Sequence, residues 1–329
     1  MSSTRLLLTG GTGFFGKALL RYWHRLEKDG RFAPPGVTIL SRDPARFRHE
    51  QPDLCSAPWL RFVTGDVLHP ASLPRLDGIT HVLHAATDST LGPGLAPLHR
   101  FDQILEGTRH ILDLAVRCGA RRFLLCSSGG VYGVPAPGVT RIEESFHGIP
   151  DPLASRNAYS VAKRAAEHLC SLYADQYGLE VVVARCFAFV GRDLPMDVHF
   201  AIGNFIRDAL ESPLITVRGD GTALRSYLDQ RDLAEWLNEM LQRGQAGRAY
   251  NVGSDEAICI ADLAHLVRDI VSPQKKVEIL GAPQQTGDRS VYVPSVHRAI
   301  AELGLRVRHP LANAIRDASV LVRSSSVLP

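Results

Sequence analysis

Apolar positions along this chain follow two alternating rhythms. Short apolar runs bounded by turn residues mark buried strands: Arg5-Leu6-Leu7-Leu8, Val37-Thr38-Ile39-Leu40, Trp59 to Thr64, Thr80 to Ala86, Arg122 to Cys126 and Glu180 to Arg185. Between them, apolar residues recur three and four apart. One such stretch begins near Phe14 and carries Phe15, Leu19, Leu20 and Trp23; a second, Leu98 to Cys118, carries Phe101, Leu105, Ile111, Leu112 and Ala115; a third runs from Ser155 to Tyr177. Strands alternating with helices at this rhythm predict an α/β fold, a doubly wound parallel sheet with its site at the strand C-termini. Residues 134–153 are rich in Pro and Gly and read as a loop over that site.

The first strand runs into Thr9-Gly10-Gly11-Thr12-Gly13-Phe14-Phe15-Gly16. Side chains are missing where a backbone would pass close to a pyrophosphate, and the following helix would aim its N–H groups and positive dipole end at the phosphates. Glycine-rich turns also serve ordinary tight connections, but the strand before and the helix and second strand after are the context a dinucleotide crossover needs. At the tip of the second strand, Ser41 and Arg42 stand where an acid would hold the ribose 2′-hydroxyl, which leans toward NADP(H), with NAD as the alternative. Arg42 could instead be a solvated loop residue or stack on adenine without selecting a phosphate. At the end of the fourth strand, the small residues of His84-Ala85-Ala86-Thr87 would let the cofactor lie against the sheet.

The candidate chemistry sits on the third helix. Tyr159 and Lys163 are four apart, so they share one face. A free phenol, with a pKa of about 10, exchanges protons poorly at neutral pH. A nearby ammonium and an oxidised nicotinamide both favour phenolate, which makes Tyr159 a usable general acid/base. Ser128, after the fifth strand, would hold the same substrate oxygen. Y-x-x-x-K also arises by chance on amphipathic helices; the glycine turn, the Ser127-Ser128-Gly129-Gly130-Val131-Tyr132-Gly133 strand end and the Tyr/Lys helix, in this order, are what point to hydride transfer.

Composition narrows the field. The chain has 329 residues, 45% hydrophobic and 22% charged, with a net charge of +3 and no basic run, so it reads as globular and not as a nucleic-acid binder. Met1-Ser2-Ser3-Thr4 gives way to the first strand without a signal-peptide pattern, and no run reaches about 18 apolar residues, so a cytoplasmic protein without a membrane span is expected. Six scattered cysteines without a C-x-x-C, four of them in apolar segments, suggest reduced, buried thiols. His81 and His84 lie three apart on a strand and face opposite sides, and no metal site is predicted.

On these residues the sequence resembles the extended short-chain dehydrogenase/reductases, specifically the NAD(P)-dependent epimerase/dehydratase family acting on nucleotide sugars. Residues 9–16 match its T-G-x-x-G-x-x-G turn, Gly65-Asp66-Val67 its adenine loop, Gly219 to Arg225 its G-x-G-x-x-x-R segment and Tyr250-Asn251-Val252-Gly253 its late strand. The resemblance implies a Rossmann-like domain from residues 1–185 and 228–252, and a smaller nucleotide-sugar-binding lobe from 186–227 and 253–329. It implies cofactor contacts from Gly10, Thr12, Gly13, Phe14, Phe15, Gly16, Ser41, Arg42, Asp66, Val67, Ala85, Ala86, Thr87, Tyr159 and Lys163. Substrate contacts would come from Ser128, Gly129, Asn204, Arg225 and Arg289, since two arginines and an amide suit a diphosphate. Arg225 could instead pair with Asp229 or Asp232, and Asn204 could cap a helix. The family's four-helix dimer interface, together with apolar residues around more than one face of the helices, including Leu169, Leu172 and Tyr173, implies a homodimer.

Departures from the family narrow the reaction. The 4,6-dehydratases place Asp-Glu directly after the hydroxyl residue of the fifth strand, and the glucuronate decarboxylases place a Glu two residues after it; here those positions are Gly129 and Gly130. Without that acid/base, elimination and decarboxylation are disfavoured. Two frequent family asparagines are Ile104 and Ala188 here, and the second change removes a usual phosphate contact. The leading expectation is an NADPH-dependent reductase of a nucleotide-linked 4-keto, 4-keto-6-deoxy in particular, sugar. The alternatives are a 4-epimerase with tightly held NAD and, from another class, a dinucleotide sensor without turnover.

Overall fold

The computed structural model describes residues 4–30, 36–87, 94–196, 200–282 and 290–325. The chain divides into two compact units, one of residues 1–131, 150–185 and 234–250, the other of 132–149, 186–233 and 251–329.

In the first unit the apolar runs become strands β1 (Arg5–Thr9), β2 (Gly36–Ser41), β3 (Leu60–Thr64), β4 (His81–His84), β5 (Arg122–Ser128) and β6 (Glu180–Cys186). Helices α1 (Phe14–Lys28), α2 (Pro44–Glu50), α3 (Pro97–Arg117) and α4 (Ala158–Tyr177) connect them. A seventh strand, Arg248–Val252, borders β6, and the sheet order from that edge is seventh strand, β6, β5, β4, β1, β2, β3. β1 pairs in parallel with both β2 and β4, so the strand order reverses at β1, where doubly wound sheets open their ligand crevice. β5 runs further than the apolar pattern indicated. It continues through Ser127 and Ser128, with every residue buried, because the small hydroxyl side chains find partners inside the fold. The third helical stretch begins as a 3-10 turn, Ser155–Asn157, before α4 proper, and α4 ends on left-handed Gly178.

The glycine turn is held by close backbone approaches. Gly10 has φ +72°, and a Cβ there would lie 2.5 Å from the Ala85 carbonyl oxygen; a Cβ on Gly16 would lie 2.2 Å from the Gly11 backbone. These two glycines seat β1 beside the end of β4 and α1 against the turn. Leu7, Val82, Phe123 and Leu125 of the sheet pack with Ile104, Ile111, Leu112, Ala162, Ala166 and Leu169 of α3 and α4 into one buried cluster. Leu169 and Tyr173 therefore belong to the core, while Leu172 is 50% exposed. Cys126, Cys170 and Cys186 are buried thiols and Cys118 is half-buried; no cysteine is in a disulfide.

The second unit is built from small sheets and helices. Leu214–Val217 pairs in parallel with Lys276–Ile279, Leu224–Arg225 is flanked by Ile258–Cys259 and Val291–Tyr292, and the helices include Ala201–Glu211, Ile260–Val271 and Leu311–Ser325. Residues 134–153 contain neither a helix nor a paired strand apart from the bridge of Ile142 to Pro294. The tail Ser324-Ser325 extends the last helix. No helix among the described residues is long and apolar enough to cross a membrane.

Gly16→Ala is expected to lower the unfolding free energy by about 1–3 kcal/mol, because the added methyl must push turn and helix apart. Gly13→Ala, whose Cβ would meet nothing closer than 3.5 Å, should cost no more than about 1 kcal/mol, the preference of a helix N-cap for Gly over Ala. Denaturant midpoints of the two variants check this contrast.

Candidate active site

The turn after β1 offers what a dinucleotide needs. Helix α1 starts on Gly13 with no side-chain cap and no acidic residue in its first turn, so no carboxylate competes for its positive end. Gly13 is exposed, has φ −88°, and would carry a Cβ without clash. Nothing in the protein's own packing demands glycine there, which fits a position kept bare for a group approaching from outside. Thr12, Phe14 and Phe15 are half-buried around it. The residues present thus fit a dinucleotide.

Around this turn stand the other expected cofactor residues. Ala85, Ala86 and Thr87 follow β4, half-buried, with the Ala85 carbonyl against Gly10. Ser41 accepts the Asp43 N–H at 3.2 Å, and Arg42 is exposed, its side chain making no hydrogen bond or ion pair among the described residues. Asp66 accepts the Leu68 N–H at 3.0 Å, and the Val67 carbonyl meets His110 Nδ1 at 2.7 Å, which ties this loop to α3.

The catalytic candidates come from β5 and α4. Lys163 is 4% exposed; its Nζ donates to Thr87 Oγ1 at 2.8 Å and to the Cys126 carbonyl at 2.8 Å. Ser128 is buried, and its Oγ accepts the Gly130 N–H at 3.1 Å. A Cβ on Gly130 would lie 2.6 Å from Ser160 Oγ and 3.4 Å from Ser128 Oγ, which brings the residue after Tyr159 close to Ser128. A side chain at 130 would require the Ser160 hydroxyl to turn away. Gly129 is buried beside it. Behind the pair, Glu167 accepts from Ser127 Oγ at 2.5 Å and from Arg185 Nη2 at 2.7 Å, so α4 is fastened to both β5 and β6.

His84, at the end of β4, is fully enclosed. One ring nitrogen meets Thr9 Oγ1 at 2.7 Å and the other Thr108 Oγ1 at 3.4 Å, while Thr108 donates to the Ile104 carbonyl at 2.7 Å. Burial, with Lys163 adding, pushes its pKa down to about 3, so the ring is a neutral bridge between β1, β4 and α3. The sequence reading took His84 only as a non-metal residue; two threonines at distant positions gave no pattern to read.

Of the expected substrate residues, Asn204 lies within Ala201–Glu211, half-buried; it is not the helix cap, a place Phe200 holds. Arg225 pairs with neither suggested acid. Asp229 is taken by Arg231 at 2.6 Å and Asp232 by His309 at 2.7 Å, whereas Arg225 donates to the carbonyls of Leu224 and Ser290 at 2.8 and 3.0 Å. Burial pushes the Arg225 guanidinium below its ordinary value. Arg289 lies outside the described residues. One neighbour of Tyr159 escaped the sequence reading: the Arg100 guanidinium lies over its ring, 4.4 Å from the centroid. The two residues are far apart in sequence, and only the packing of α3 on α4 joins them.

The model of the NAD dependent epimerase/dehydratase family matches residues 6–253. The chain belongs to that family. It is therefore an enzyme, as expected. Among its relatives is UDP-glucuronic acid decarboxylase 6 of Arabidopsis thaliana, 29% identical over 304 residues, covering 92% of this chain and 84% of that one. Solved structures with the same fold include UDP-glucuronic acid 4-epimerase from Bacillus cereus in complex with UDP-glucuronic acid and NAD (TM-score 0.79, 21% identity, 98% of this chain and 100% of that one). Another is dTDP-glucose 4,6-dehydratase from Streptomyces venezuelae with NAD bound (TM-score 0.82, 24% identity, 98% of this chain and 97% of that one). The doubly wound parallel sheet that the resemblance implied is present, with seven strands.

For stability, the His84 bridge has a definite pH signature. A buried ring that stays neutral in the fold but takes a proton when unfolded makes the unfolded state the stronger proton binder between about pH 6.5 and 3. Stability is complete above that window and falls by about 1.4 kcal/mol per pH unit within it. His84→Gln should be less stable at neutral pH and lack this component of the slope, as chemical denaturation at stepped pH would show.

Proposed function

We propose that this enzyme reduces a nucleotide-linked 4-keto sugar, in particular a 4-keto-6-deoxyhexose, with NADPH. The end of β5 carries the reading: Ser128 is followed by Gly129 and Gly130, so the hydroxyl that would hold the reacting oxygen has no carboxylate beside it. The decarboxylase relatives resemble this chain over most of its length, but the acid expected at position 130 is absent, and a side chain there would meet Ser160. The bound cofactor would supply the hydride. Tyr159 would deliver the proton to the developing alkoxide, Ser128 would hold that oxygen, and Lys163, oriented by Thr87 and the Cys126 carbonyl, would bind the cofactor ribose and favour phenolate. Arg42, exposed at the tip of β2 and without an ion pair among the described residues, suits a 2′-phosphate. In the second unit, Arg225 and Asn204 suit a nucleotide diphosphate.

A second reading is a 4-epimerase with resident NAD. The family's name and the NAD complexes of its fold relatives favour it, and the same three residues would serve it. Assay of the purified chain with NADPH and dTDP- or CDP-linked 4-keto-6-deoxyhexoses separates the two. Net NADPH consumption supports the reductase; stoichiometric bound NAD with interconversion of 4-epimers replaces it. Tyr159→Phe should cut turnover by about 100-fold or more while cofactor binding persists. Unchanged turnover would sink both readings.

A homodimer through α3 and α4 and a cytoplasmic setting complete the proposal. Leu98 is 69% exposed on α3, and Leu172 and Tyr177 are 50% and 51% exposed on α4. Leu98→Glu with Leu172→Glu should turn the dimer into monomer by light scattering; a monomeric parent chain overturns the assignment.

A further inference from the structure

Arg100 sits where an ordinary surface arginine would not. It lies in the first turns of α3 and is half-buried, and its Nε is enclosed without a hydrogen-bond partner. Its guanidinium makes no ion pair among the described residues. What it does face is the ring of Tyr159, 4.4 Å from the centroid. A buried arginine donor left unpaired is costly, so the position calls for negative charge nearby. The face of a phenol offers some, and a phenolate far more.

We propose that Arg100 is a positioning residue that, together with Lys163, holds Tyr159 toward its ionised form. The inference rests on Tyr159 as the proton relay. The surrounding charges support it. Lys163 is the other cation, one turn along α4 and on the same helix face. From β4, His84 is neutral, and β5 presents Ser128, which carries no charge. Glu167, two turns beyond Tyr159, is engaged by Arg185 and Ser127. The turn before α4 adds Arg156, exposed, and Asp102 on α3 makes no ion pair with Arg100. Burial pushes the Arg100 guanidinium down, and Tyr159 is the group that acts against that push. The preference is therefore mutual: a charge on the phenol supports the charge on the guanidinium, and the reverse.

The primary readout needs no substrate, so it stands apart from which sugar the enzyme takes. Tyrosinate ultraviolet absorbance is titrated in the full chain and in Tyr159→Phe, and the difference isolates Tyr159. The same pair is prepared in an Arg100→Met background. The Tyr159 midpoint should rise by about one pH unit or more when the guanidinium is removed. Arg100→Lys, which keeps the charge but not the planar stack, should fall between. The limb of the pH–rate profile that reports Tyr159 should move by the same amount. Equal midpoints in folded parent and Arg100→Met chains overturn the proposal. Should Arg100→Met fail to fold, Arg100→Gln takes its place, with the same two outcomes.

Discussion

Lys163 donates from one buried ammonium to the Thr87 hydroxyl, just past β4, and to the Cys126 carbonyl inside β5. A charge that is 4% exposed is tolerated only with close acceptors, so these two bonds hold α4 in register over the strand ends. Tyr159, one turn earlier, inherits its place from that register. The Glu167 pair with Arg185, reinforced by Ser127, repeats the fastening one turn later and reaches across to β6. Removing one member of such a buried pair leaves the other charge uncompensated, which costs about 3–5 kcal/mol. The helix that carries Tyr159 and Lys163 is thus pinned by polar contacts at successive turns, in addition to the apolar face formed by Ala162, Ala166 and Leu169.

The same economy governs the cofactor turn. Gly10 and Gly16 are bare because backbone approaches within reach of a methyl, whereas Gly13 is bare although the protein leaves it room. Packing accounts for the first two and not for the third. His84 closes the arrangement from beneath, joining β1 to α3 through Thr9 and Thr108 without carrying charge. A charged ring there would sit beside Lys163; burial removes that conflict by keeping the imidazole neutral.

Much of this was legible before any coordinates. The apolar runs at Leu6–Leu8, Val37–Leu40 and Arg122–Cys126 mark buried strands, since a strand covered on both faces has no alternation to confuse it. Tyr159 and Lys163 declare a shared face by their spacing alone. What could not be read are contacts that depend on how two elements cross. Arg100 is three residues into a helix whose sequence pattern says only that it is amphipathic, and Arg225 has two nearby acids in sequence yet points to carbonyls in space. The extension of β5 through two serines was likewise hidden, because hydroxyl residues signal a turn until their partners, Glu167 and the Gly130 amide, are known.

The glycine pair after Ser128 links the fold to the choice of reaction. Elimination or loss of a carboxyl group needs a second proton-transfer group beside the reacting carbon, and the residues that follow Ser128 here are glycines, which offer none. In this chain the strand end donates a backbone N–H to Ser128 instead, and the adjoining space is filled by the Ser160 hydroxyl. Ser128 is thereby oriented by the main chain, and of Ser128, Tyr159 and Lys163 it is the phenol to which the proposed reading gives the proton. If Tyr159 relays the proton, as proposed, two cations would favour its ionised form: Arg100 over its ring and Lys163 one turn along α4. On that reading a single carbonyl–alcohol step would need a phenol that ionises readily and no further acid, and both the glycines after Ser128 and the second cation would suit it.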